Sequence, residues 1–172
     1  MKILILLTYF DRPNLVHNAL QSIRLQDFDL NLVEIAVIDD RSKIPIREII
    51  EVHYQDLLPI CKFYTEDASW TKTAQFQSRH GMYMNKAMEE SGAYFCIRLC
   101  DDDALVNTYL RDLTAWFIAN PDKMYGYCHV IDYNPLEVRP DHRLEKKGNN
   151  NHIKAINANS NLDNSQVAWR LE

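Results

Sequence analysis

Glycine is scarce in this sequence. Its 172 residues include only four glycines, and neither a GxGxxG nor a GxxxxGK spacing occurs. This argues against the glycine-rich phosphate cradles of a dinucleotide Rossmann site or a P-loop. Cysteine is sparse too. Cys61, Cys96, Cys100 and Cys128 form no CxxC pair and share no metal-type spacing with histidine. They fall in or beside apolar runs and read as buried, reduced thiols, which fits a cytoplasmic compartment. Positive charge is not in excess. The formal net charge of −5 leaves no electrostatic footprint for nucleic acid. No apolar run approaches the ~20 residues that span a bilayer. The opening run, Met1 to Leu7, is short and soon interrupted by Tyr9, Asp11 and Arg12, so it does not read as a signal peptide.

The chain does contain alternating elements. Its length suits one domain, and 47% hydrophobic with 25% charged residues is an ordinary globular balance. Lys2 to Thr8 reads as a buried parallel strand. Pro13 suits the first turn of a helix, in which Leu15, Val16, Ala19, Leu20 and Ile23 share one face. Leu32 to Ile38 is a second strand, and Ile46, Ile49 and Ile50 mark a second helix. A short strand over Cys61 to Tyr64 follows, then a polar loop from Thr65 to about Ala74. The next helix runs from about Gln75 to Glu90, with Phe76, His80, Tyr83, Met84, Ala87 and Met88 facing inward. A strand over Tyr94 to Cys100, a helix over Asn107 to Asn120 and a strand over Met124 to Tyr133 complete the pattern. The whole predicts an α/β domain with a largely parallel sheet flanked by helices. Gly148 to Asn164 holds seven asparagines and reads as a mobile surface loop. Apolar character returns from Leu162 to Arg170.

Asp101-Asp102-Asp103 closes the fourth strand. Adjacent carboxylates repel unless a cation or a hydrogen-bond network compensates. In an open α/β sheet, ligands bind beyond the carboxyl ends of the strands. A hard divalent cation, Mn²⁺ or Mg²⁺, shared with substrate phosphates suits such a place. The alternative is a solvated acidic turn capping the next helix. Two further strand ends are polar: Thr8 to Arg12, and Asp39-Asp40. In a parallel sheet all three share one edge. One carboxylate cluster can take a cation that bridges phosphates. The other can accept hydrogen bonds from a ribose or a base.

Leu7-Thr8-Tyr9-Phe10-Asp11-Arg12-Pro13, Ile38-Asp39-Asp40-Arg41-Ser42, Asn85 with Ser91-Gly92-Ala93-Tyr94, and Asp101 to Asp103 appear in that order. In this set the chain resembles the family 2 glycosyltransferases of the GT-A fold, over roughly residues 2 to 120. A weaker likeness to an acceptor-side strand extends from Leu162-Asp163 to Trp169-Arg170. The resemblance implies an enzyme that moves a sugar from a nucleoside-diphosphate donor, most commonly a UDP-sugar, to a saccharide or other hydroxyl acceptor with inversion. It implies that Thr8, Tyr9, Asp11, Asp40, Lys72, Arg79, Asp101 and Asp102 lie against the donor. Asp101 and Asp103 form the Asp-x-Asp pair for Mn²⁺ or Mg²⁺, with the register between the three aspartates open. Ordinary turn, cap and surface-charge roles compete for each of these residues.

Two departures stand out. Arg41 occupies a position where the family has glycine. The family's later acidic motif, source of the catalytic base, has no counterpart before Glu172. The expectation is therefore a single nucleotide-sugar-binding domain lacking a C-terminal segment, with Asp163 as the fallback base. A hydrolysis-only or non-catalytic binding fragment and a nucleotidyltransferase are the rival readings. The latter lacks its glycine-rich opening loop here.

Overall fold

The computed structural model describes residues 1–65, 79–127 and 167–171. Six strands, β1 (Ile3–Tyr9), β2 (Val33–Asp39), β3 (Cys61–Thr65), β4 (Phe95–Cys100), β5 (Tyr125–Tyr127) and β6 (Val167–Arg170), form one sheet. Their order is β3-β2-β1-β4-β6-β5. The helices are α1 (Pro13–Arg24), α2 (Ile46–His53), α3 (Arg79–Glu90) and α4 (Tyr109–Ala119). The expected α/β architecture is present.

All seven residues of β1 are buried, as are all seven of β2. Continuous apolar runs are what strands covered on both faces require. On one face, Ile3, Ile5, Leu7, Val33, Ile35, Val37, Phe95, Ile97 and Leu99 pack against Val16, Ala19, Leu20 and Ile23 of α1, Ile46, Ile49 and Ile50 of α2, and Leu110, Leu113 and Phe117 of α4. On the other, Leu4, Leu6, Ala36, Ile38 and Cys96 pack with Ala87, Tyr83, Met84 and Met88 of α3 and with Trp169 of β6. Each fully buried aliphatic side chain of this kind contributes about 1.5–3 kcal/mol.

Strands β3, β2, β1 and β4 run parallel, so their carboxyl ends share one edge. The chain builds outward from β1 to β2 to β3 and then returns to the opposite side of β1 for β4. The order reverses between β1 and β4, and a crevice at such a switch point is where open α/β sheets place ligands.

Most sequence boundaries are met within a residue or two. Strands β1 and β2 each run one residue further than expected, because Tyr9 and Asp39 pair in the parallel ladder. The start of β2 is delayed, because Leu30–Leu32 is a short 3₁₀ turn with the Asp29 side chain accepting from the Asn31 N–H. Strand β6 is inserted antiparallel between β4 and β5, a placement that the apolar pattern does not reveal. The loop to Ala74, the start of the helix at Gln75 with Phe76, the end of the strand to Tyr133, Cys128 and the Asn-rich stretch lie outside the described residues. No helix among the described residues is long and apolar enough to cross a membrane.

The far edge of the sheet is fastened separately. Glu34 is buried and takes ion pairs from Lys2 at 2.6 Å and Lys62 at 2.9 Å. Burial alone would push its carboxyl up, but the two ammonium groups outweigh it and hold the group below the usual carboxylate range.

Candidate functional site

The loops after β1, β2 and β4 meet at the carboxyl edge. The first two are laced together by their own polar groups. Asp11 donates its backbone N–H to Ser42 Oγ at 3.0 Å and accepts from the Lys43 N–H at 2.6 Å. Asp40 donates its N–H to the Tyr9 carbonyl at 3.3 Å. The buried Asp39 carboxylate accepts from the Ser42 N–H at 2.9 Å and from the Ile46 N–H at 3.0 Å. It thus satisfies a donor that the start of α2 would otherwise leave open. Asp11 and Arg41 adopt left-handed backbone, with φ of 48° and 57°. Aspartate tolerates that region, whereas for arginine it costs about 1 kcal/mol or more. Arg41, at the position where the resemblance leads one to expect glycine, thus takes backbone that glycine adopts without strain, within a loop held by the surrounding hydrogen bonds.

Tyr9 is buried, and its hydroxyl donates to the Ile44 carbonyl at 3.0 Å. Burial, followed by the nearby Asp39, Asp11 and Asp101, pushes this phenol up to about 12. It stays neutral and braces the β2–α2 loop from beneath. Thr8 is also buried and pairs in register with Cys100. Phe10, by contrast, is an exposed aromatic on the same loop.

The acidic loop is fixed at both ends. Asp103 donates its N–H to the Cys100 carbonyl at 3.1 Å, closing a tight turn. At the far end, Gln26, just past the end of α1, donates to the Val106 carbonyl at 2.8 Å, and its Oε1 accepts the Leu110 N–H of α4 at 3.0 Å. Asp101 is only 5% exposed. One of its oxygens accepts the Phe10 N–H at 3.0 Å, and the other takes Arg12 Nη1 at 3.3 Å. Asp102 is exposed and pairs with the same Arg12 nitrogen at 2.5 Å.

Sequence spacing pairs Asp101 with Asp103 about a cation. In the fold, ligand atoms of Cys100, Asp102 and Asp103 lie within 4.8 Å of one another, while Asp101 joins the acidic loop to the β1–α1 loop. The two carboxylates of this group fit a hard divalent cation. The thiol is a poor partner for Mg²⁺ and Mn²⁺ alike, so the fit to such an ion rests on the two carboxylates. Burial pushes the Cys100 thiol above its ordinary value, against opposing effects of Thr8 and Arg98.

The fold therefore brings Thr8, Tyr9, Asp11, Asp40, Asp101, Asp102 and Asp103 to one edge. Arg79 opens α3 as described, and its side chain is outside the described residues, as are Lys72 and Asp163. Sequence reasoning read Cys100 as a buried reduced thiol and Arg12 as part of the first polar strand end, and gave neither an individual role at the site. The signal for Arg12 was its place as the cation of the first strand-end cluster. For Cys100 it was direct adjacency to the aspartates.

No protein-family model matches this sequence, and comparison with curated protein sequences gives no match. Solved structures do match. TarS of S. aureus, residues 1–349, superposes with a TM-score of 0.58 at 22% identity, over 73% of this chain and 34% of that one. The longer TarS structure gives 0.60 at 20% identity, over 81% of this chain and 23% of that one. The mannosyltransferase PcManGT from Pyrobaculum calidifontis, in complex with GDP-Man and Mn²⁺, gives 0.59 at 18% identity, over 74% and 35%. This chain thus spans about a third or less of the length of each. At these identities the likeness concerns the fold, and the chain has the GT-A-like α/β fold of these glycosyltransferases.

Proposed function

We propose that this chain is the nucleotide-sugar-binding part of an inverting glycosyltransferase, moving a sugar from a UDP-sugar to an acceptor hydroxyl with Mn²⁺ at the acidic loop. The observation that carries this reading is the meeting of three polar loops at the switch point between β1 and β4, with the acidic loop bonded to the β1–α1 loop through Asp101. It is supported by neighbours of the same fold solved with UDP-GlcNAc, with UDP, and with GDP-Man and Mn²⁺.

In this reading Thr8, Tyr9 and Asp11 shape the floor and rim of the nucleotide pocket, and Asp40 accepts from the ribose or base. Asp102 and Asp103 are the cation ligands, and Asp101 holds the loop that presents them. Lys72 and Arg79 are assigned to the base or diphosphate. A cation here would neutralise charge growing on the nucleoside-diphosphate leaving group. The acceptor hydroxyl must lose its proton to a carboxylate, a contribution of ~10²–10⁴-fold, and Asp163 is the residue assigned to it.

Calorimetric titration with UDP tests the reading. Binding is expected with Mn²⁺ and lost in excess chelator. Asp103→Ala should weaken the Mn²⁺-dependent affinity on the order of 100-fold, whereas Asp122→Ala, at an exposed surface carboxylate paired with Lys123, should leave it unchanged. Equal UDP affinity with and without metal would remove the cation from the account.

A further inference from the structure

The acidic loop already carries a cation of its own. Arg12 Nη1 lies 2.5 Å from Asp102 and 3.3 Å from Asp101. The two carboxylates push the guanidinium above its already high ordinary value, so it is charged at any working pH. Asp102 is also one of the carboxylates grouped with Asp103 and Cys100. The same side chain is therefore sought by two cations, one built into the chain and one from solution. A divalent ion and a guanidinium on one carboxylate repel each other.

The backbone of Arg12 is pinned, because its carbonyl accepts the Leu15 and Val16 N–H groups, each at 3.1 Å, at the start of α1. Its side chain is 51% exposed, and ion pairs at such exposure hold a long side chain only weakly. Asp101 cannot follow it, since its second oxygen is held by the Phe10 N–H. A guanidinium released here stays at the mouth of the crevice, and its planar fork matches phosphate oxygens.

We propose that Arg12 is a displaceable counter-ion, competing with the divalent cation for Asp102 in the ligand-free protein and turning to the diphosphate when nucleotide binds. This rests on the nucleotide-sugar reading above and assigns one more residue to that site. It makes an unusual demand: the same substitution must improve binding of one ligand and impair binding of the other.

The test uses Mn²⁺ alone, followed by electron paramagnetic resonance of the free ion, and UDP in the presence of Mn²⁺, followed by calorimetry. Arg12→Gln should bind Mn²⁺ without nucleotide about 3- to 10-fold more tightly than wild type and bind UDP about tenfold or more weakly. Arg12→Lys keeps the charge, so its nucleotide-free Mn²⁺ affinity should stay within about twofold of wild type. Unchanged or weaker Mn²⁺ binding by Arg12→Gln, or unchanged UDP binding, overturns the proposal. If the glutamine variant does not fold, the wild-type Arg12 Nε–H resonance carries the test. It must shift on adding Mg²⁺ and again on adding UDP, and a resonance unmoved by both overturns the proposal. Wild-type protein that binds no UDP with Mn²⁺ defeats the nucleotide-sugar reading instead, while the Mn²⁺ arm still judges the competition at Asp102.

Discussion

Asp101→Ala should destabilise the fold by about 1–3 kcal/mol and also abolish measurable metal-dependent UDP binding. Asp101 is a nearly buried carboxylate whose two oxygens serve two different partners on another loop. Removing it leaves the partly buried Phe10 N–H without its acceptor, at about 1–3 kcal/mol. The lost pairing with Arg12 adds little, since that side chain is half exposed and its ion pairs are screened. The functional loss is expected to be larger than the loss in stability. Without Asp101 the β1–α1 loop and the acidic loop are no longer joined, so the groups assigned to nucleotide and cation lose their common frame. Urea unfolding reads the first effect, and calorimetry well below the unfolding midpoint reads the second. Asp101→Asn, which still offers an oxygen to the Phe10 N–H, should recover most of the stability. Full UDP affinity in the alanine variant would show that Asp101 organises nothing.

Phe95→Ala should show the opposite division. Phe95 stacks on Phe117 with ring centroids 4.7 Å apart and planes at 23°, and both rings are almost wholly buried. Arg170 lies over the far ring, 5.2 Å from its centroid. Truncating a phenylalanine in such a place costs about 3–5 kcal/mol, from lost transfer energy and from the cavity left behind. Phe95 begins β4, and the acidic loop begins at the other end of that strand. The cavity therefore opens between β4 and α4 at a distance from the carboxyl edge. At a temperature where the variant remains folded, its UDP affinity should match wild type. The pair of variants separates the site from its scaffold: one loses more binding than stability, the other more stability than binding.

The scaffold was largely legible in the sequence because its signals are local. Ile3 to Leu7 and Val33 to Ile38 are unbroken apolar runs, and strands buried on both faces need such runs. Pro13 marked the start of α1, and the spacing of Val16, Ala19, Leu20 and Ile23 marked its buried side. A strand in the region of β6 was expected from the resemblance, over Leu162 to Arg170, but its place in the sheet was not legible. Four residues carry little pattern of their own, and its identity depends on pairing with β4, about seventy positions away. The candidate site divides along the same line. That three polar clusters share an edge follows from parallel strands alone. Which oxygen each aspartate offers, and to whom, is set by tertiary contacts. Asp101 faces Phe10 and Arg12, across about ninety residues of sequence, so spacing within Asp101 to Asp103 could not separate the three roles. Cys100 entered the group for a related reason. Spacing rules for cysteine look for a second cysteine or histidine, whereas its neighbours here are aspartates two and three positions on.

Nucleotide and cation are expected to bind together at the carboxyl edge between β1 and β4. Paramagnetic broadening by Mn²⁺ in the presence of UDP measures this residue by residue, with Mg²⁺ and UDP as the diamagnetic reference. A seven-residue strand is about 20 Å long, so the two edges of the sheet are well separated. Amide signals of Phe10, Arg12, Asp101, Asp102 and Asp103 should disappear, while those of Lys2, Glu34 and Tyr94 at the opposite edge persist. Broadening centred on Lys2, Glu34 and Tyr94, or no broadening beyond that of free Mn²⁺ in solution, would contradict the account.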